Sequence, residues 1–189
     1  RRLDELLLPA LRPRFPGARL DAHRGAAHGG GGDRAGGYER RAELFTDWVV
    51  PVGSPDLVGT APLADAREIL AFPLFGIDWE PYFKSPPSWP QWFRGLGVET
   101  GPLRMALTFS LSAQAIDEAI AARGVVLAQC SMIAADLAAG RLVIVHPHRM
   151  RLEEPYFLAW DAAALDKPGG RDFRDWILAL GRDYAVQAG

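Results

Sequence analysis

The stretch HGGGGDRAGG at positions 28–37 has the composition of a phosphate-binding loop. A Walker loop requires Lys and then Ser or Thr after its last glycine, whereas Gly37 is followed by Tyr38 and Glu39. A dinucleotide-binding loop requires glycines at its first, third and sixth positions between a strand and a helix, and no frame through this stretch supplies all of them. The sequence therefore favours a flexible connection over a phosphate site.

Residues for nucleophilic or metal chemistry are few. The chain has four histidines and one cysteine, and it lacks a Gly-x-Ser-x-Gly motif, so spacing indicates no nucleophile–base pair. His146 and His148 could present two imidazoles to a metal, but no Cys or Glu accompanies them at a spacing typical of metal sites. We expect both histidines at the solvent-facing end of a strand, and Cys130, at a helix start, in a packing role. Neither a metal, a cofactor nor an enzymatic activity is predicted.

Serines stand where predicted strands give way to predicted helices, at Ser88, at Ser110 with Ser112, and at Ser131. Serine is a favoured N-cap residue because its hydroxyl accepts a hydrogen bond from a free N–H of the first helical turn. Helix starts also present free donors and a positive dipole, which favour an anion at the carboxyl edge of a sheet. These positions indicate a cleft for a small ligand, and hint at a carboxylate or an amino acid.

Composition limits the class of protein. The 189 residues are 49% hydrophobic, which suits one sizeable domain or two small ones. The 21 basic and 23 acidic residues leave a net charge of −2 without a basic block, so this segment lacks the charge of a DNA-binding surface. One cysteine excludes an internal disulfide and is compatible with a reducing compartment. The chain opens on Arg1 without a signal segment, which predicts that part of the natural protein precedes it.

Strands and helices alternate along the chain. Strands are predicted at 18–24, 44–55, 69–77, 103–110, 124–128, 141–146 and 155–160. Helices are predicted at 7–17, 89–97, 112–124, 131–140 and 173–184. The short joints between successive elements predict an α/β fold with a parallel sheet.

Taken together, several of these stretches resemble the effector-binding domain of LysR-type transcriptional regulators, in the branch similar to the glycine-cleavage activator. The likeness is carried by ELFTDWVVPVGSPDL (43–57), PLFGIDW (73–79), SWPQWFRGLGV (88–98), FSLSAQAIDEAIAARGVVLAQCSMIAADLAAGRLV (109–143), PYFLAW (155–160) and FRDWILAL (173–180). The stretch at 109–143 is the most specific. No single motif identifies the family, but the combination covers most of the chain.

The resemblance implies an α/β fold of the type II periplasmic-binding-protein kind. Two Rossmann-like subdomains would be joined by a hinge, with a small effector in the cleft between them. Residues 1–54 and 153–189 would form the first subdomain, and residues 55–152 the second. The stretch at 26–37 is too short for a helix and a strand that the family carries there. Either the protein lacks these elements, or the sequence at hand omits them.

The resemblance also implies where the effector would bind. The matching positions are Phe75, Gly76 and Ile77 at one strand end, and Phe109 and Ser110 with Ser112 at the next, while His28 would border the cleft. Aromatic side chains there, including Trp79, would accept an apolar portion of the ligand.

The function that the resemblance implies is effector sensing in a bacterial, cytoplasmic transcription regulator that acts as a homodimer or homotetramer. DNA would be bound only through an N-terminal helix-turn-helix that these residues do not contain. A solute-binding protein of a transporter has the same fold and stays as the alternative. An export signal upstream would distinguish it from a regulator.

Overall fold

The computed structural model describes residues 23–24, 40–79 and 86–188. They belong to two compact units, one drawn from Arg1–Asp47 and Leu152–Gly189 and the other formed by Trp48–Arg151. The predicted helix at 7–17 and the glycine-rich stretch with His28 lie outside the described residues.

The described strands and helices are numbered in chain order. The strands are β1 (His23–Arg24), β2 (Arg40–Phe45), β3 (Trp48–Gly53), β4 (Leu74–Ile77), β5 (Leu107–Phe109), β6 (Val125–Gln129), β7 (Val143–Ile144), β8 (Met150–Arg151) and β9 (Tyr156–Trp160). The α-helices are α1 (Pro55–Val58), α2 (Trp89–Gly95), α3 (Ser112–Ile120), α4 (Cys130–Ala138) and α5 (Gly170–Ala188). Two 3-10 turns cover Ala66–Ala71 and Ala162–Asp166.

The unit that contains both ends of the chain is built on a three-stranded sheet of order β1-β9-β2, in which β9 pairs antiparallel with both neighbours. Helix α5 packs against β2. The Tyr184 hydroxyl donates a hydrogen bond of 2.8 Å to Asp47 Oδ1, and the Tyr184 ring lies 4.4 Å from that of Phe45. Because Asp47 is fully buried, this bond supplies a partner that a buried carboxylate needs. The predicted C-terminal helix is confirmed.

The unit Trp48–Arg151 is built on a mixed sheet of order β5-β4-β6-β3-β7, with β8 also paired to β3. Strand β4 runs parallel to β5 and β6, whereas β3 is antiparallel to β6, β7 and β8. The prediction of a parallel sheet is therefore right for β4, β5 and β6 and wrong for β3. The sequence pattern of a strand buried on both faces does not encode the direction of its partners.

Several predicted strands have different boundaries in the structure: 103–110 shortens to β5 and 141–146 to β7, and two others change further. The stretch 44–55 contains two strands, β2 and β3, one in each unit. The stretch 69–77 begins inside a 3-10 turn whose first residue follows Asp65. The Asp65 carboxylate accepts from the Arg67 N–H at 2.9 Å, and the Asp65 N–H donates to Glu68 at 3.1 Å. This capping box satisfies the N–H groups of Asp65 and Arg67 within the turn itself. A 3-10 turn therefore forms ahead of β4, where a strand would need a neighbouring strand to accept these N–H groups.

Apolar side chains cover both faces of the mixed sheet. We name the two groups of buried residues cluster 1 (Val58, Ala66, Ile69, Leu74, Trp89, Trp92, Phe93, Val98, Val125, Leu127, Val145) and cluster 2 (Val50, Val52, Phe75, Ala115, Ile116, Ala119, Val126, Ala128, Ile133, Leu142). Alternate residues of β6 enter opposite clusters, as the period of two in a strand requires. The apolar run at 124–128 is thus confirmed as a strand buried on both faces.

Helix α4 ends in a Schellman motif at Gly140. The Gly140 N–H donates to the Leu137 carbonyl at 3.1 Å, and the Arg141 N–H donates to the Asp136 carbonyl at 2.9 Å. Gly140 has a φ of +68°, and a Cβ added there would meet nothing within 4 Å. The cost of a side chain at this position is therefore the strain of the left-handed backbone conformation alone. We expect Gly140→Ala to lower the free energy of unfolding by about 1–2 kcal/mol in a denaturant titration. An unchanged midpoint would contradict this reading.

Helix α3 ends in the same motif with alanine in the glycine position, and it stops before the predicted end at Gly124. The Ala122 N–H donates to the Ala119 carbonyl at 3.1 Å, and the Arg123 N–H donates to the Glu118 carbonyl at 3.2 Å. Ala122 has a φ of 59°, which glycine adopts without steric cost. We expect Ala122→Gly to raise the free energy of unfolding by about 1 kcal/mol, the reverse of the Gly140→Ala effect. Equal signs for the two changes in a denaturant titration would contradict the assignment.

Candidate ligand-binding site

One of the predicted serine caps forms as expected. The Ser88 hydroxyl accepts from the Gln91 N–H at 3.4 Å, and the Ser88 N–H donates to Gln91 Oε1 at 3.1 Å. This capping box starts α2 and so fixes the backbone at Trp89, the first residue of the helix.

The other predicted caps are wrong. Helix α3 begins at Ser112 after Leu111, and α4 begins at Cys130 directly after β6, neither with a side-chain cap. Ser110 is exposed one residue too early to cap α3, and Ser131 is buried inside the first turn of α4. Because α4 begins at the residue directly after β6, Ser131 already lies inside the helix and cannot be its N-cap.

Two strand ends that the sequence singled out lie side by side. Gly76 pairs with Thr108 and Ile77 with Phe109 in the parallel ladder of β4 and β5. Just beyond the ladder, the Asp78 N–H donates to the Phe109 carbonyl at 2.8 Å. The carboxyl ends of both strands therefore meet at one edge of the sheet, which is where open α/β sheets bind ligands.

Of the residues predicted to contact a ligand, Phe75, Gly76, Ile77 and Trp79 form part of a cavity in the unit Trp48–Arg151. Its volume is about 250 Å³. Its walls are Phe75, Gly76, Ile77, Trp79, Pro87, Ser88, Trp89, Pro90, Met105, Thr108 and Leu127.

The remaining predicted residues lie elsewhere. Phe109 does not line the cavity but packs edge-on against Phe75, with the ring centres 5.4 Å apart. Ser110 and Ser112 follow Phe109, Ser110 exposed and Ser112 half-buried. His28 lies outside the described part of the chain.

The cavity lies on the cluster 1 face of the sheet. Trp89 and Leu127 belong to cluster 1, and Met105 packs against it. Phe75 and Ile77 direct their side chains to cluster 2 on the opposite face, so Gly76 between them faces cluster 1. A Cβ at Gly76 would lie 3.1 Å from Thr108 Oγ1 and 3.2 Å from Met105 Cγ. The absence of a side chain at Gly76 thus leaves room in this wall.

The cavity is uncharged. None of the described residues that form its walls is acidic, basic or a histidine. The indole N–H of Trp89 already donates to the Phe75 carbonyl at 2.9 Å, and the Ser88 hydroxyl takes part in the cap of α2. Thr108 adds one further hydroxyl. The walls therefore accept an apolar group more readily than an ion.

Sequence reasoning missed Trp89, Met105 and Thr108. The spacing of Trp89 with Trp92 and Phe93 indicated a core stripe, and Trp89 does belong to cluster 1. Its place in the cavity wall depends on contact with β4, through the hydrogen bond from its indole N–H to the Phe75 carbonyl, for which the local sequence gives no signal.

The prediction that both histidines face solvent is wrong for His146, and His148 is half-buried. His146 is buried, and the rings of His146 and His148 meet Trp92 edge-on at 5.4 and 5.5 Å. The His148 N–H donates to His146 Nδ1 at 3.1 Å. Within the residues that the structure describes, no three His, Cys, Asp or Glu side chains form a group that could hold a metal ion.

Acidification is expected to destabilise the protein through these histidines. Burial lowers the pKa of His146 below its ordinary 6.5, against an opposing effect of Asp65. Burial and the charge of His146 lower the pKa of His148. A lowered pKa in the folded state means that stability is complete above the unfolded value and is lost as pH falls through the folded one. Thermal unfolding should therefore show a lower Tm at a pH of about 5 than at about 7.5.

His148→Gln is the matched control for this pH dependence, because glutamine keeps a polar side chain and does not titrate. The variant should show a smaller drop in Tm on acidification. An equal drop in both proteins would assign the effect to other groups.

None of the helices in the described ranges is long and apolar enough to cross a membrane.

Known proteins with similar sequences are regulators. A model of the LysR substrate binding domain family matches residues 36–182. The glycine cleavage system transcriptional activator of Escherichia coli K12 is 28% identical over 141 residues, which are 74% of this chain and 44% of that protein. The chain therefore spans less than half the length of this relative.

Solved structures show the same fold. The effector domain of the transcriptional regulator AmpR of Pseudomonas aeruginosa superposes with a TM-score of 0.69 at 19% identity, over 97% of this chain and 90% of that one. The AmpR effector-binding domain of Citrobacter freundii gives 0.65 at 19% identity, over 95% and 91%. The predicted α/β fold of the type II periplasmic-binding-protein kind is confirmed.

Proposed function

We propose that this chain, which belongs to the family of LysR substrate-binding domains, senses a small-molecule effector for a bacterial transcription regulator. The observation that carries the proposal is the family match over residues 36–182. The similar proteins of stated function regulate transcription, which favours a regulator over the solute-binding protein of a transporter and over an enzyme.

The proposed effector site is the carboxyl edge of β4 and β5. Phe75, Gly76 and Ile77 supply one side, and Phe109, Ser110 and Ser112 the other. Two observations support this site: the parallel ladder places the two strand ends together, and a cavity opens beside Gly76. We also propose His28 as an effector contact, on the resemblance alone.

Sensing requires that the effector distinguish two conformations. An effector that binds one conformation more tightly shifts the population towards it, by no more than the difference in affinity. In the longer protein, we propose that this shift is passed to an N-terminal helix-turn-helix that binds DNA. We further propose that the regulator is a homodimer or homotetramer and works in the cytoplasm.

A thermal-shift screen of metabolites, rich in carboxylates and amino acids, tests the proposal. A true effector at about one hundred times its Kd should stabilise the chain by about 2.7 kcal/mol and so raise Tm. Ser110→Ala should weaken its binding about tenfold if the hydroxyl donates to the ligand.

The control for the screen is Thr60→Ala, which removes an exposed hydroxyl outside the cavity walls and should leave effector affinity unchanged. Unaltered affinity in Ser110→Ala would remove Ser110 from the site. Failure of every metabolite class to stabilise the chain would argue against effector sensing.

A further inference from the structure

We infer that the effector inserts an uncharged aromatic ring, or an apolar group of that size, into the cavity beside Gly76. The inference deepens the proposed function, since it rests on the same strand edge being the effector site. The helix starts suggested a carboxylate or an amino acid as the ligand. The inference here concerns only the part of the ligand that is buried in the cavity.

The size of the cavity suits one ring. A dry apolar cavity of about 150 Å³ is enough to hold benzene. The cavity here measures about 250 Å³, so it accommodates a six-membered ring with one small substituent or a fused ring pair.

The side chains that form the walls can contact both the face and the edge of an aromatic ring. Trp79 and Trp89 are 8% and 3% exposed, and they offer two indoles to stack on or to meet edge-on. Met105 adds a polarizable thioether, which packs well against aromatic edges. Leu127, from the central strand β6, lies at 4% exposure and adds an apolar wall. Trp89 and Leu127 belong to cluster 1 and Met105 packs against it, so these three side chains are held in place for a ligand.

Charge is excluded by the same walls. Among the described residues that form the walls, none carries a positive charge that could pair with a buried carboxylate, and the indole N–H of Trp89 already donates to the Phe75 carbonyl. The Thr108 hydroxyl provides a polar contact for a hydroxyl or carbonyl on the ring. Any charged group of the effector must therefore stay outside the cavity.

The test compares benzyl alcohol with benzoate, two probes that share a ring and differ in charge. Binding to the 189-residue chain is measured by ligand-observed NMR titration, which detects affinities of about millimolar strength expected of such small molecules. We expect benzyl alcohol to bind and benzoate to bind at least about tenfold more weakly, because the carboxylate is desolvated without a partner.

Two substitutions fill the cavity from different walls. Thr108→Phe places a ring beside Gly76 from an exposed position, so the variant is expected to fold. Met105→Trp fills it from the cluster 1 side. Leu107→Phe is the matched control, because Leu107 neighbours Thr108, is 52% exposed and does not line the cavity. Both filling variants should abolish benzyl alcohol binding, and the control should retain it.

Three outcomes would overturn the inference: equal binding of benzoate and benzyl alcohol, benzyl alcohol binding that survives in Thr108→Phe, or no binding up to the solubility limit. The proposed function fails separately. A metabolite that binds through Ser110 while benzyl alcohol does not would refute the cavity inference alone. Cavity binding of benzyl alcohol, with no metabolite that stabilises the chain, would refute effector sensing and leave the chemistry of the cavity intact.

Discussion

Replacing Trp92 by alanine is expected to lower the free energy of unfolding by about 3–5 kcal/mol. Trp92 is fully buried in cluster 1, and its ring centre lies 5.1 Å from that of Phe93 and 6.0 Å from that of Trp89. Its indole N–H donates to the His148 carbonyl at 3.1 Å. The substitution therefore removes a large apolar volume and leaves a partly buried carbonyl without this donor. Denaturant titration followed by circular dichroism measures the loss.

Trp92→Phe separates the two contributions. Phenylalanine keeps an aromatic ring against Trp89 and Phe93 and removes the N–H donor, so we expect a smaller loss of about 1–3 kcal/mol. Equal stability of the alanine variant and the native protein would show that cluster 1 is not the core on which the cavity is built.

Replacing Gly124 by alanine is expected to have the second largest effect. A Cβ there would lie 2.6 Å from the Pro73 carbonyl oxygen and 2.6 Å from Phe75 Cζ. The carbonyl has little freedom to move, because it accepts the Val125 N–H at 2.8 Å and so joins β4 to β6. Overpacking of this kind costs about 1–3 kcal/mol or more. Because Gly76 of the same strand lines the cavity, a shift of β4 should also weaken benzyl alcohol binding.

Gly101→Ala is the control for this change, since an added Cβ there meets nothing within 4 Å. It should alter stability by less than about 0.5 kcal/mol. For both variants, denaturant titration measures the free energy of unfolding and NMR titration measures the affinity for benzyl alcohol. A Gly124→Ala protein with native stability and native probe affinity would contradict the close approach of β4 and β6.

Local chemistry explains which elements were predictable. Ser88 caps α2 because Gln91, three residues on, completes the capping box, and both residues are visible in the sequence. The helix at 173–184 was predictable from its apolar spacing. Gly140 marked the end of α4 because a left-handed residue favours glycine.

Partners distant in sequence explain the failures. Nothing near Ser131 reveals that β6 continues directly into α4, and so its capping role was wrong. The division of 44–55 into β2 and β3 depends on pairing with β9 in one unit and β6 in the other. The burial of His146 depends on Trp92, which lies more than fifty residues earlier. Contacts between residues so far apart in the chain produce no periodicity and no motif in the local sequence.

The candidate site shows the same limit. Phe75, Gly76 and Ile77 were named through the family resemblance, and they do line a cavity. Its uncharged character arises from Trp89 and Met105, which come from other parts of the chain and were assigned to the core or to no role. The helix starts suggested an acid or an amino acid, and the aromatic side chains suggested an apolar portion of the ligand; the cavity walls fit the apolar portion.

We propose that effector binding to this chain controls DNA binding by the full-length regulator. Fluorescence anisotropy of the full-length protein on its operator DNA, with and without an effector from the metabolite screen, tests it most directly. We predict that the effector changes DNA affinity at least about fivefold, and that DNA changes effector affinity by the same factor. Identical DNA affinity with and without a bound effector, together with unchanged DNA-dependent transcription, would rule out this control of DNA binding.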